Sequence, residues 1–134
     1  MPTDLEVFNR LNYVRNVLNG VPKLSYAPFC LHNVGLDACN WIINHNSFQH
    51  PPDFIGRVAP CNDHYNGEIL LWRCPHGGTP TELVKMWMSS PEHRSIILDP
   101  HYRYAGIAHV VGDLPSKCTR ATEPAAVWAG EFGG

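Results

Sequence analysis

The spacing of apolar positions divides the chain into helical and extended stretches, punctuated by proline and glycine. Thr3-Asp4-Leu5-Glu6 is a capping box: the Thr3 hydroxyl accepts an orphan helix N–H while Glu6 reaches back to the Thr3 N–H. Leu5, Phe8, Leu11, Val14 and Leu18 follow at three- and four-residue steps, an amphipathic helix that Gly20 and Pro22 stop. A second helix is predicted over 28–45, with Phe29, Val34, Leu36, Trp41 and Ile42 as its apolar positions. Pro51-Pro52 ends any continuation, and 54–65 reads as loop. Residues 67–72 (GEILLW) are a short, mostly apolar strand. Thr79 caps a third helix, with Pro80 at its first position and Glu82 closing the box. Ser90-Pro91 starts a short fourth helix that ends near Leu98, before Pro100. Strands over 104–111 and 126–132 complete the chain. This order predicts an α+β fold, a small central antiparallel sheet between helical layers.

Composition narrows the picture. The 134 residues carry no internal repeat, low-complexity tract or linker, so 1–134 reads as a single domain. Charged residues make up 16%, low against roughly 25% for a soluble domain. Ten Lys and Arg against 12 Asp and Glu leave a formal charge of −2, so no basic field recommends a nucleic-acid partner. No apolar run approaches the roughly 18 residues of a membrane span. The N-terminus lacks a basic region followed by an apolar one, so no signal peptide is visible. Either the chain is not exported by that route, or it is a mature segment with a start Met.

Three positions place polar chemistry in apolar surroundings: His50 after the second helix, Glu68 inside GEILLW, and His93 in the first turn of the Ser90-Pro91 helix. A carboxylate within an apolar strand is costly unless paired, and histidines are natural partners for Glu68. Two imidazoles and a carboxylate can hold a divalent metal with an open position, or work as a metal-free acid–base pair. The helix N-terminus disfavours imidazolium at His93, leaving it a ligand or base. Arg94 reads as a structural ion pair or a clamp on loop carbonyls ahead of any catalytic role.

The order FQH (48–50), GEIL (67–70), WMSSPEHRSIILDP (87–100), YAGIA (104–108) and VWAGEF (127–132) resembles the CAP superfamily. These are the cysteine-rich secretory, antigen 5 and pathogenesis-related-1 proteins, and the likeness is greatest to the short bacterial members. It runs from the Asn12/Arg15 helix to the last aromatic strand. The resemblance implies an α-β-α sandwich with a cleft holding two histidines and two acids. His50 and His93 take the histidine positions and Glu68 one acidic position. The second acid falls on Ser90, and the residue after Glu68, commonly Asn in the family, is Ile69. Ser90 and Arg94 are expected to line the cleft, and His50 and His93 to hold any divalent ion, zinc or similar. The implied setting is secreted or extracytoplasmic.

Five cysteines leave at least one thiol unpaired within the monomer. Cys61, His64, Cys74 and His76 flank the GEILLW strand and offer zinc-ligand chemistry, whereas a Cys61–Cys74 disulfide is the simpler reading. Cys30 and Cys39 are too far apart on one helix to bridge, and Cys118, in the loop 113–123, must meet another cysteine or stay free. Three functions remain in view. The first is a cleft that binds a small molecule, lipid or peptide, with or without a divalent metal, and Ser90 in place of an acid favours it. The second is a metal- or Glu68-assisted hydrolase using His50, Glu68 and His93 catalytically. The third is a structural or decoration domain of a cell-surface or virion assembly.

Overall fold

The structure, a computed structural model, describes residues 1–119 and 123–134. Five helices and four strands follow in the order α1 (Asp4–Asn12), β1 (Ser25–Tyr26), α2 (Cys30–His45), α3 (Phe54–Val58), β2 (Asn66–Arg73), α4 (Pro80–Met88), α5 (Pro91–Ile97), β3 (Tyr104–Gly112) and β4 (Ala125–Gly133). A π-helical turn, Tyr13–Leu18, continues α1, and a 3-10 turn, Ala59–Cys61, continues α3. The sheet order is β1-β3-β4-β2, so β4 is central and β2 is an edge. Strands β2, β4 and β3 are antiparallel, whereas β1 pairs parallel with β3. The expected α+β sandwich is present, with one two-residue parallel strand that carries no period of its own.

Alternation along the strands builds two cores. Ile69, Leu71, Ile107, Trp128 and Phe132 face α1, α4 and α5. Leu70, Val127 and Ala129 face Ala38, Cys39 and Ile42 of α2. Both capping boxes form, at Thr3/Glu6 and Thr79/Glu82. The helix stripes differ from expectation. Leu5 and Leu18 are half or more exposed while Val7 is buried, and Phe29 is 78% exposed. In α2 the expected Val34 and Ile42 are buried, and beside them the buried face is rich in small residues, Gly35, Ala38 and Cys39, because this helix lies close on the sheet. A Cβ at Gly35 would stand 3.2 Å from the Ala108 Cβ and 3.3 Å from the Glu131 Cγ.

The segment read as loop, 54–65, opens with α3, capped where the Asp53 carboxylate accepts the Gly56 N–H. The two layers are tied by Asp4, which takes His32 of α2 at 3.2 Å and His109 of β3 at 2.5 Å. Arg15 is fully buried and donates to four main-chain carbonyls, Pro22, Ile97, Asp99 and Tyr102. It therefore performs the loop clamp that the sequence suggested for Arg94. Among the described residues no helix is long and apolar enough to cross a membrane.

The cysteines pair differently from expectation. Cys30 joins Cys61 and Cys74 joins Cys118, with Cα separations of 5.5 and 5.7 Å. The Cys61–Cys74 bridge does not form, nor does a zinc site using both thiolates. The reason is geometric: the eight residues of β2 span roughly 26 Å between those cysteines. Each end is fastened to its own neighbour, the start of α2 or the loop after β3. That loop, read as 113–123, includes residues 120–122, which lie outside the described residues. Cys39 is the free cysteine, buried in α2, with its S–H donating to the Val127 carbonyl at 3.3 Å.

Candidate functional site

The site begins with the pleat of β2. Glu68, Leu70 and Trp72 share the face toward α2, so Glu68 enters the protein with a side chain 2% exposed. Such burial demands partners, and three arrive from different elements. His50, in the segment after α2, places Nδ1 2.7 Å from Glu68 Oε1. A carboxylate accepts and does not donate, so Nδ1 carries the hydrogen of this bond and Nε2 is the ring nitrogen that the bond leaves free. The His50 side chain is 59% exposed. Arg57 of α3 grips both carboxylate oxygens, Nη1 to Oε2 at 2.9 Å and Nη2 to Oε1 at 3.2 Å. Its remaining donors hold the Pro51 and Pro52 carbonyls, which positions the turn that carries His50.

The third neighbour is Glu131, paired directly across from Glu68 in the β2–β4 register and fully buried. Neither Glu131 oxygen meets a nitrogen or hydroxyl donor among the described residues. Burial and the adjacent Glu68 charge push its carboxyl well above the usual range, with Arg57 opposing. Both effects favour the neutral acid at Glu131, for whose O–H the Glu68 carboxylate directly opposite is the acceptor at hand. Burial also works against ionising Glu68, but hydrogen bonds from His50, Glu131 and Arg57 overcome it and hold this carboxyl at about 2. Two carboxyls share one negative charge, and Arg57 balances it. Sequence reasoning found His50 and Glu68 but missed Glu131 and Arg57. The signal for Glu131 was present, because Val127, Ala129 and Glu131 alternate onto one face of an otherwise apolar strand. Arg57 gave none.

His93 sits half-buried in the first turn of α5. Its pKa is lowered, first by burial and then by the charge of His50, against a contrary pull from Glu92. Burial is the chief influence against its imidazolium form. His93 lines a cavity of about 500 Å³ that follows β2 from Leu70 to Cys74, with Phe48 and Met86 completing its apolar walls. Ser90 occupies the cap position of α5 without a side-chain cap bond, and it is not among those lining residues. Arg94 is exposed and lines a separate hollow with Arg10 and Lys85. As to metal, the donors on offer are two imidazoles, since Glu68 is committed to Arg57. Among the described residues no three His, Cys, Asp or Glu side chains are grouped to hold an ion.

The sandwich of helices about a sheet, with a histidine–glutamate pair on the edge strand whose later residues wall the cavity, defines the class; of the expected cleft residues only His93 lines that cavity. The model of the cysteine-rich secretory protein (CAP) family matches residues 8–122, and the chain belongs to that family. None of the curated proteins matches it in sequence. Among solved structures it is similar to an outer surface protein of Borrelia burgdorferi, with a TM-score of 0.73 and 15% identity over 97% of this chain and 91% of that one. An extracellular protein of Bacillus anthracis containing an SCP domain gives 0.70 and 15%, covering 96% of this chain but 39% of that one. Venom allergen-like protein 4 of Schistosoma mansoni gives 0.65 and 11%, covering 98% and 88%. At these identities the likeness is one of fold.

Proposed function

We propose that this CAP-family chain is a ligand-binding module of an extracytoplasmic setting, whose cleft along β2 takes a small, largely apolar molecule, lipid or peptide. The observation that carries this reading is the cavity itself, apolar at Phe48, Leu70, Leu71 and Met86 and bounded by His93. Two disulfides favour an oxidising compartment, and the Borrelia and Bacillus relatives are described as an outer surface and an extracellular protein.

In this reading Glu68 and Arg57 are scaffolding. They orient His50 so that its Nε2 faces outward as an acceptor for the polar end of a ligand, and His93 supplies a second neutral imidazole. A zinc-class ion, when bound, would rest on those two nitrogens and add Lewis-acid polarisation of a bound oxygen. The hydrolase reading draws on the same His50–Glu68 hydrogen bond, since a carboxylate-oriented imidazole can accept a proton from water. Against it, Ser90 stands where the second acid is expected, and the charge of Glu68 is already matched by Arg57. Binding is the better supported function.

The test uses 8-anilinonaphthalene-1-sulfonate as an apolar anionic probe, followed by fluorescence. Binding that weakens about tenfold in Phe48→Ala, the loss of well over 1 kcal/mol of apolar contact, and is unchanged in Val111→Ala, an exposed β3 residue that does not line this cavity, supports the cleft. Binding indifferent to Phe48, or no binding, contradicts it.

A further inference from the structure

The cleft is walled by a strand edge, and the phase of that strand decides what the edge offers. Tyr65 and Gly134 exchange both main-chain hydrogen bonds, Tyr65 N–H to Gly134 O at 3.0 Å and Gly134 N–H to Tyr65 O at 3.0 Å. Bonded and non-bonded pairs alternate in an antiparallel ladder. Continuing the register, residues 67, 69, 71 and 73 bond to β4, whereas the main-chain groups of Glu68, Leu70 and Trp72 point away from it. Because β2 is the edge of the sheet, they face outward. One of these groups is occupied: the Trp87 indole N–H donates to the Leu70 carbonyl at 3.0 Å. The Leu70 N–H and both main-chain groups of Trp72 meet no partner among the described residues, and both residues line the cavity.

A lipid tail has nothing to give these groups, whereas an extended main chain has the matching donors and acceptors at the matching spacing. The walls also suit alternating side chains. Phe48 stands on the α2 side of the sheet and Met86 and His93 on the side of α4 and α5. The charge at this end that meets no carboxylate is basic: the Lys117 ammonium lies 5.7 Å from the Trp72 ring, whereas Arg73, which lines the cavity, is paired with Glu82. The nearby acid, Glu82, is already engaged by Arg73 and by Thr79.

We propose that the ligand is an extended peptide segment bearing an acidic side chain, which adds to the free edge of β2 through the Trp72 N–H and C=O and sends alternate apolar side chains to Phe48 and to Met86. This rests on the binding reading above and names the ligand class of the same cleft. Trp87 sets where pairing can run, because its indole closes the Leu70 carbonyl and leaves the bonds to begin at Trp72.

The experiment selects binders to the disulfide-intact chain from a randomised pool of blocked hexapeptides, then replaces each amide N–H of a selected peptide by N-methyl in turn. The ¹⁵N spectrum of the labelled protein is recorded alongside. Expected are peptides carrying Asp or Glu, a shifted and exchange-slowed Trp72 amide, and losses of about tenfold at alternate N-methyl positions with little change between them. Peptides that bind with no such alternation and an unmoved Trp72 amide overturn strand addition while leaving the cleft a binding site. A pool that yields no binder overturns it too; the anilinonaphthalenesulfonate result then tells whether the cleft reading fails with it.

Discussion

Two arginines, Arg15 buried and Arg57 half-buried, carry out opposite kinds of work. Arg15 spends its donors on four main-chain carbonyls, takes no carboxylate and is sealed from solvent. Arg57 spends its donors on Glu68 and two carbonyls, and the imidazole that shares this carboxylate stands more than half exposed. The first network is closed: every polar group ends on another, and what results is the joining of the π-helical turn to the loops around β1 and α5. The second is left open at one nitrogen, His50 Nε2, and the cleft begins two residues along β2 from Glu68, at Leu70. A fold of this size uses the same side chain to fasten loops in one place and to hold chemistry ready in another.

The comparison predicts different consequences for removing each arginine. Arg15→Met leaves buried carbonyls of Ile97 and Tyr102 without donors and is expected to cost about 3 kcal/mol in urea unfolding, nearly constant between pH 5 and 8. Arg57→Met is expected to cost about 2 kcal/mol at pH 7 and to depend on pH, because it strands a buried carboxylate that a proton can neutralise. In the intact protein Glu68 is held at about 2, below its ordinary 4.5. Its contribution is therefore complete above pH 4.5 and is lost as the pH falls toward 2. Much of that acid-side loss is expected to disappear in Arg57→Met. A flat difference between variant and parent would show that Arg57 fastens loops as Arg15 does.

A smaller effect reads the open nitrogen. Zinc uptake followed by calorimetry is expected to be weak in the parent, which offers two imidazoles, to vanish in the His50→Ala, His93→Ala double variant, and to fall about tenfold in Glu68→Gln, which releases the His50 ring. Zinc uptake that ignores all three positions would detach the imidazoles from any metal. The smallest effect concerns Glu131. Its carboxyl is raised in the folded protein, so the folded state holds a proton that the unfolded state has lost, and stability falls as the pH rises above 4.5. Glu131→Gln keeps a donor toward Glu68 and removes that slope. It is expected to be about 1 kcal/mol more stable than the parent at pH 7 and no better at pH 4.

Features written into short stretches were legible in advance. The capping boxes at Thr3 and Thr79, the GEILLW strand and the two last strands were read close to their observed ends, because local hydrogen bonding and side-chain period determine them. Two kinds of feature were not. The buried stripe of α2 keeps the expected Val34 and Ile42 but is completed by Gly35, Ala38 and Cys39, small residues that carry little hydrophobic signal yet allow the helix to approach the sheet. Partnerships across the fold form the other kind. Cysteine pairing, the parallel strand at Ser25–Tyr26, the Asp4 contacts to His32 and His109, and the place of Arg57 over Glu68 all depend on which elements become neighbours. Glu131 lies between the two kinds: its face was legible from alternation, but its meaning required knowing that Glu68 stands opposite.

The central claim is that Glu68 and Glu131 carry one negative charge between them, which fixes His50 with Nε2 toward solvent. Carboxyl ¹³C spectra of the glutamate-labelled protein, recorded from pH 4 to pH 8, test it directly. A single glutamate is predicted to keep the chemical shift of a protonated acid at pH 7, and that signal is predicted to vanish in Glu131→Gln. Six glutamates that have all ionised by pH 6 would contradict the account.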